Sequence, residues 1–261
     1  MIHKRFIIPS VFLYFLISIF NYANAQEQKW ISLFNGENLD GWTIKISGQK
    51  VGVNYKNTFR AKDGILSVNY DQYQTFNNDF GHIFYNQKFS NYILKLDYRM
   101  RGEQTPGGPS WGIRNNGIMI HSQSPQSMGL NQFFPRSIEV QLLNGAQNEE
   151  TPNGNVCTPG THIVMDGNLI KKHCINSNSV TNRGEQWVSV EVEVRGNKLI
   201  RHKINGVLVM EYTNPQIDAH DEETPVNDLP DLSPLSDGYI ALQSESHAFD
   251  FRNIMLLDLD Q

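Results

Sequence analysis

Residues 187–212 read WVSVEVEVRGNKLIRHKINGVLVMEY, and this stretch decides the fold class. From Val188 to Arg195 valine alternates with serine, glutamate and arginine, which is the period-two pattern of a strand with one buried face. Asn205-Gly206 then separates two further β-rich runs, and Asn-Gly is the strongest short signal for a two-residue hairpin turn. The stretch therefore predicts consecutive antiparallel strands joined by tight turns.

The same alternation recurs along the chain, and no stretch shows a sustained helical period. Turn-forming pairs such as Asp63-Gly64 and Asp237-Gly238 separate the runs. Many medium-length strands without helical spacers predict an all-β fold, an antiparallel sandwich. We predict strands at residues 92–101, 137–143, 187–195, 198–204, 207–212, 238–245 and 247–257, and loops at residues 102–110, 144–178 and 217–236.

The N-terminus has the features of a secretory signal peptide. Lys4 and Arg5 precede a mostly apolar run, and Ala23-Asn24-Ala25 supplies the small-x-small pattern of a cleavage site. The apolar run is shorter than the ~20 residues that a membrane-spanning helix needs. We expect residues 1–25 to be removed, which leaves a single periplasmic or secreted domain over residues 26–261 that is not an integral membrane protein. A retained anchor is the alternative.

Charge and cysteine content narrow the function classes. The formal net charge is −5 without a basic stripe, which argues against a nucleic-acid partner because phosphate binding needs clustered Lys and Arg. Cys157 and Cys174 are the two cysteines, and an oxidising compartment favours a disulfide over a reactive thiol or a metal pair. The acidic loop at residues 217–236 could hold calcium, but it lacks the spaced DxDxDG pattern and is more typical of a solvated loop.

Polar side chains alternate along several predicted strands and could line a groove. Glu139 and Gln141 are two residues apart, so they project from one face about 7 Å apart. The strand of Arg99 offers a second polar row, and Gln243 with Glu245 offers a third. An exposed sheet face with solvated side chains is the plain alternative.

The segment after the 102–110 loop combines an aromatic residue, amides and a histidine. Trp111 could stack on a sugar ring, while Asn115 and Asn116 could bond its hydroxyls. His121 could act as a base or a metal ligand because its charge changes near neutral pH, although a surface role is the alternative. On the Glu139 strand the second acid of an ExDxE glycosidase motif is replaced by Gln141, which argues against two carboxylates on that strand.

Eight short motifs occur in a recognisable order: Trp30-Ile31-Ser32-Leu33-Phe34-Asn35-Gly36 with Leu39-Asp40-Gly41-Trp42, Asp63-Gly64-Ile65-Leu66, Phe89-Ser90-Asn91-Tyr92-Ile93-Leu94 with Tyr98-Arg99, Asn115-Asn116-Gly117-Ile118, Ile138-Glu139-Val140-Gln141, Asn205-Gly206, Gly238-Tyr239-Ile240-Ala241-Leu242-Gln243 and Phe251-Arg252-Asn253-Ile254. In this order they resemble the 3-keto-disaccharide hydrolase family over about residues 30–257. The resemblance implies a concanavalin A-like jelly-roll sandwich of two antiparallel sheets with its site on the concave face. Asn116 and Ile138 depart from the family's usual serine and aromatic residue, which leaves the substrate's identity open.

The resemblance also implies an activity, which is cleavage of 3-keto-glycosides such as 3-keto-disaccharides. A carbonyl at C3 acidifies the C2 proton, so a base can remove it, the C1 substituent leaves, and water adds afterwards. We expect Glu139 or His121 to be the base, and Arg99 with Gln141 to stabilise or orient the ketosugar. A divalent metal ion held by Glu139 and His121 could replace Arg99 as the electrophile. Further substrate-binding candidates are Trp111, Asn115, Asn116, Gln243 and Glu245.

Two other functions fit the same sequence. Jelly-roll sandwiches also serve as lectins, so a non-catalytic glycan-binding module is one alternative. An ordinary glycosidase with carboxylates on different strands, such as Glu139 and Glu245, is the other.

Overall fold

The computed structural model describes residues 29–224 and 229–261, and within them the fold is nearly all β. The predicted signal peptide at residues 1–25 lies outside the described residues. The strands are β1 (Trp30–Ser32), β2 (Trp42–Ile46), β3 (Phe59–Lys62), β4 (Ile65–Val68), β5 (Gly81–Phe89), β6 (Asn91–Arg101), β7 (Gly117–Ser122), β8 (Ile138–Gln141), β9 (Val156–Cys157), β10 (Thr161–Met165), β11 (Asn168–Ile170), β12 (Cys174–Ile175), β13 (Val188–Arg195), β14 (Leu199–Ile204), β15 (Val207–Ile217), β16 (Gly238–Ser244) and β17 (Ala248–Asp258). Short 3-10 turns occupy Tyr55–Asn57, Ser110–Gly112 and Pro125–Ser127.

The strands form two antiparallel sheets. The ten-stranded sheet runs β11-β10-β15-β14-β13-β6-β17-β4-β3, with β1 paired to β17. The seven-stranded sheet runs β12-β9-β8-β7-β16-β5-β2. The second sheet carries the site, and its order brings strands that are distant in the chain, such as β7 and β16, side by side.

The core lies between the two sheets and follows from the alternation in the sequence. Leu96 and Tyr98 of β6 are buried on one side, and Ile118 and Val140 of the seven-stranded sheet are buried on the other. These side chains belong to one continuous cluster. Burying each such side chain contributes about 1.5–3 kcal/mol, so the apolar faces hold the sheets together. The outer face of the seven-stranded sheet also carries a second, smaller apolar cluster of Phe84, Met119, Met128 and Ala241.

The predicted strands are present, with β15 extending to Ile217. The prediction of a continuous loop at residues 144–178 is wrong, because β9 to β12 lie within it. These strands are two to five residues long, and their pairing depends on β8 and β15 rather than on a pattern of their own.

The predicted disulfide is confirmed. Cys157 of β9 and Cys174 of β12 are directly opposed in an antiparallel pair and are bonded with a Cα–Cα distance of 4.1 Å. Because the bond closes a short loop, it stabilises the fold by about 3 kcal/mol in the chain-entropy model. No helix among the described residues is long and apolar enough to cross a bilayer.

Candidate active site

A cavity of about 1320 Å³ lies over the face of the seven-stranded sheet that points away from the core. Five of the residues singled out in the sequence line it, namely Trp111, Asn115, Glu139, Gln141 and Glu245. They come from β8, from the segment before β7 and from the end of β16. The sheet therefore gathers polar groups that are up to 134 positions apart in the chain into one chamber.

A glycine makes room for the carboxylate at the cavity floor. Gly117 lies on β7 beside Gln141 of β8. A Cβ at Gly117 would lie 2.5 Å from Glu139 Oε1 and 2.8 Å from Gln243 Oε1, closer than real Cβ contacts allow. The missing side chain therefore leaves the space that the Glu139 carboxylate occupies, and this close approach requires glycine.

Glu139 is a buried acid at this floor. Its Oε1 has no hydrogen-bond partner among the described residues, and only 6% of its surface is exposed. Burial disfavours the charged form and raises the pKa of Glu139 from 4.5 to about 8. A carboxylate with a pKa near neutrality, facing a cavity, has the property that a general base needs.

Glu245 is a second buried acid in the same cavity. Burial raises the pKa of Glu245 well above its usual range, and the charge of Glu139 raises it further. Its Oε2 also has no partner within the described part of the chain. Because two buried carboxyls close together resist double ionisation, the pair keeps at least one proton, and Glu139 loses its proton before Glu245 does.

Three amides surround the pair. Asn155 Nδ2 donates to Gln141 Oε1 at 3.3 Å, which directs the Gln141 amide. Asn115 Nδ2 donates to Trp111 O at 3.3 Å, and Asn115 Oδ1 is buried with no partner among residues 29–224 and 229–261. Gln243, predicted to bind substrate, is fully buried and does not line the cavity, and neither of its side-chain polar atoms has a partner among the described residues. Buried polar atoms are normally paired, so Asn115 Oδ1 at the cavity is suited to receive a polar ligand or water.

The prediction that Arg99 lies at this site is wrong. Arg99 lies on β6, in the ten-stranded sheet, and its side chain points to the outer surface. There it bonds Asp250 through Nε and Nη2 at 2.9 Å and packs over the ring of Trp187. An arginine held in this way on the other sheet cannot contact a sugar in the cavity.

The prediction that His121 lies at this site is also wrong. His121 is the penultimate residue of β7 and has a φ of 49°, and Gly238 packs against its backbone. Its Nε2 lies 3.0 Å from the carbonyl oxygen of Gly196, in the turn between β13 and β14. Burial lowers the pKa of His121 and so favours the neutral ring. His121 does not line the cavity, so the Glu139 and His121 pair proposed for a metal ion is not assembled.

Asn116 holds backbone rather than facing the cavity. It is fully buried, its Nδ2 donates to Gln243 O at 2.9 Å, and its Oδ1 accepts from the amide of Gly117 at 2.8 Å. Asn116 therefore fixes β7 against β16 at the level of the glycine.

Several cavity residues had no signal in the sequence. Among them are Phe80, Phe133, Phe134, Arg136, His173, Glu222 and Glu223. Phe80 stacks on Trp111 with ring centroids 5.4 Å apart and an interplanar angle of 13°. Aromatic residues in loops cannot be distinguished from core aromatic residues by their sequence context, so the aromatic lining of the cavity could not be predicted.

One group of side chains resembles a metal site by proximity. Cys157, His173 and Cys174 bring ligand atoms within 4.8 Å of one another, and they form the only such group among the described residues. Both sulfurs belong to the disulfide and carry no thiolate, so the group cannot bind a metal ion as it stands.

A family model described as a 3-keto-alpha-glucoside-1,2-lyase-like domain matches residues 29–257. The chain belongs to this family. This 3-keto-alpha-glucoside-1,2-lyase-like family is the 3-keto-disaccharide hydrolase family that the motifs resemble. Its members act on carbohydrates, so the chain is a carbohydrate-acting protein. No match was found among curated proteins.

Solved structures show the same fold. A candidate glycosyl hydrolase from Parabacteroides distasonis is similar with 18% identity and a TM-score of 0.52, covering 88% of this chain and 94% of that one. LamAcat from Zobellia galactanivorans is similar with 11% identity and a TM-score of 0.50, covering 88% and 96%. A LamA structure from Z. galactanivorans in complex with laminaritriose and laminaritetraose has 10% identity and a TM-score of 0.50, covering 87% and 97%. The predicted two-sheet jelly-roll sandwich is confirmed.

Proposed function

We propose that this member of the 3-keto-alpha-glucoside-1,2-lyase-like family is an exported enzyme that cleaves 3-keto-glycosides by elimination followed by hydration. The observation that carries the proposal is the pair of buried acids, Glu139 and Glu245, in a cavity lined by amides and aromatic rings. Elimination needs a base and an acid in the same chamber, and a pair that retains one proton supplies both.

The elimination step uses the two acids in different protonation states. Glu139, as carboxylate, takes the proton from C2, and the electrons of that bond form the enolate of the C3 ketone. The enolate then re-forms the ketone, a C1=C2 double bond forms, and the bond from C1 to the leaving oxygen breaks. Glu245, as the neutral acid, gives its proton to that oxygen.

Hydration restores the starting state. After elimination Glu139 is protonated and Glu245 is a carboxylate. Glu245 can then take a proton from water as the hydroxide oxygen adds to C1, while Glu139, whose carboxyl proton exchanges with the water that enters the cavity, gives a proton to C2. The 3-keto sugar is released, and both acids regain the charges with which they began.

Hydrogen-bond donors are needed where the enolate charge develops. The bond from Asn155 holds Gln141 Oε1, which leaves Nε2 as the end of this amide that can donate to the C3 oxygen. Arg99 was expected to serve this purpose and lies on the other sheet. We therefore assign to Gln141 the role of orienting the ketone.

Export is supported by the disulfide. The Cys157–Cys174 bond fits an oxidising compartment, consistent with a periplasmic or secreted enzyme whose residues 1–25 are removed.

The test compares a 3-keto-glycoside with the same glycoside in unoxidised form. We expect the protein to release product from the 3-keto substrate only, and the Glu139→Gln and Glu245→Gln variants to lose at least ~100-fold in kcat, the usual size of an acid–base contribution. Glu211→Gln is the matched control, because Glu211 lies on the ten-stranded sheet, half-exposed and paired with Arg201. Unchanged turnover in both cavity variants would eliminate the proposal.

An ordinary glycosidase is the second candidate, because Glu139 and Glu245 are two carboxyls from different strands facing one cavity. Release of product from the unoxidised glycoside, lost in the same variants, would favour that reaction. A glycan-binding module would instead bind an oligosaccharide with saturation and release no product from either substrate.

A further inference from the structure

The cavity has two chemically different sides, and the strand order of the seven-stranded sheet separates them. β12 and β9 form one edge, and their neighbourhood contributes Cys157 and His173, with Arg136, Glu222 and Glu223 beside them. β5 and β2 form the other edge, where Phe80 precedes β5. One side is therefore polar and charged, and the other is aromatic.

The aromatic side is a preformed wall. Trp111 is 53% exposed and lines the cavity, while Phe80 beneath it is 2% exposed and stacked on its indole ring. Phe133 is 40% exposed and lies 5.1 Å from Phe80, and Phe134 lies 5.2 Å from Phe80. A large exposed indole backed by a buried ring presents a fixed flat surface for a ligand. We refer to Trp111, Phe80, Phe133 and Phe134 as the ring wall.

The ring wall adjoins Glu245 rather than Glu139. Glu245 follows β16, which lies next to β5, whereas Glu139 is on β8, next to β9. A Cβ at Gly112, the residue after Trp111, would lie 2.8 Å from Glu245 O, so the backbone of the two segments is in close contact. The acid that protonates the leaving oxygen is therefore on the ring side, and the base is on the polar side.

Two glutamines beside the ring wall are committed to hydrogen bonds within the protein. Gln132 lines this part of the cavity, but its Nε2 donates to Gln123 Oε1 and Phe134 O, and its Oε1 accepts from the amide of Gly129. Gln123 Oε1 also accepts from the amide of Arg136. The side chains of Gln123 and Gln132 thus hold their own loops, which leaves Asn78, Asn115 and Asn131 as the other amides that line the cavity.

We propose that the ring wall is the leaving-group subsite and that it selects glycosides with a flat apolar leaving group, such as an aryl ring, stacked on Trp111. This inference rests on the proposed function, since it places the leaving oxygen beside Glu245. The ketosugar then lies towards Gln141 on the polar side, and the cavity, larger than the ~300–1000 Å³ of common ligand sites, holds both parts.

The experiment compares phenyl and methyl 3-keto-glucosides of one anomeric configuration. For each substrate, kcat/KM of the variant is divided by that of the unmodified protein. We expect Trp111→Ala to lose about tenfold on the phenyl substrate, the size of one good ring contact, and less than about threefold on the methyl substrate. Trp111→Phe should recover most of the loss because it keeps a ring. Leu208→Ala is the control, since Leu208 is exposed near the start of β15, away from the cavity.

A binding measurement separates failure of the subsite from failure of the reaction. Calorimetric titration of both substrates into Glu139→Gln, with and without Trp111→Ala, reports affinity without turnover. If the phenyl substrate binds more tightly than the methyl substrate and this preference depends on Trp111, the subsite is supported. If the unmodified protein nevertheless turns over neither substrate, only the proposed function fails. Equal losses of affinity on both substrates, or no loss on either, overturn the assignment of an aryl leaving group.

Discussion

Replacing Glu139 by glutamine should change how stability depends on pH. In the folded protein burial raises the pKa of Glu139 to about 8, whereas in the unfolded chain it is near the usual 4.5. The folded state therefore binds more protons than the unfolded state between these values, so the free energy of unfolding falls as pH rises through this window. A shift of this size corresponds to roughly 5 kcal/mol in total, at about 1.4 kcal/mol per pH unit.

The assay is urea unfolding followed by tryptophan fluorescence, without reductant, at several values from pH 5 to pH 8.5. Over this pH range we expect the free energy of unfolding of the unmodified protein to fall by about 3–4 kcal/mol more than that of Glu139→Gln, because glutamine cannot ionise. Glu245 titrates in both proteins, but in Glu139→Gln it no longer feels the charge of Glu139, so the difference between the two proteins reports the coupled pair of acids. Glu211→Gln, at an exposed acid, should follow the unmodified protein. Parallel pH curves for the unmodified protein and Glu139→Gln would refute the burial of an ionisable base.

Three further predictions concern activity and stability. Since Glu139 must be ionised to act as base, kcat/KM for a 3-keto-glycoside should fall as pH drops below about 8, and a flat profile from pH 6 to 9 would contradict this role. Gly117→Ala places a Cβ 2.5 Å from Glu139 Oε1, so kcat should fall at least ~10-fold. Circular dichroism should still show a folded β protein. An unchanged kcat would show that the position of the carboxylate does not depend on the glycine. Replacing Cys157 and Cys174 by serine should lower the free energy of unfolding by about 3 kcal/mol, and reductant should then have no further effect on Tm.

The fold was largely predictable because local patterns agree with the tertiary structure. The alternation at residues 187–212 gives β13 and the hairpin at Asn205-Gly206, and the same pattern gives β6 and β8. The short strands β9 to β12 could not be predicted in this way. Their residues pair because β8 and β15 present free edges and the disulfide fixes β12 to β9, and neither cause is visible in a local window.

The site was predictable only in part, because alternation tells which residues share a face of one strand but not which sheet the strand joins. Glu139 and Gln141 share the cavity face of β8, as their spacing requires. Arg99 shows the same alternation on β6, yet long-range pairing with β13 and β17 places it in the other sheet. His121 follows the alternation of β7, but its positive φ turns it towards Gly196.

The most direct test of the account follows the hydrogen at C2 of a 3-keto-glycoside by proton NMR in D₂O. We predict that the unmodified protein exchanges this hydrogen for deuterium during cleavage, and that Glu139→Gln neither exchanges it nor releases the C1 substituent. Cleavage with the C2 hydrogen fully retained in the released sugar would contradict proton abstraction by Glu139.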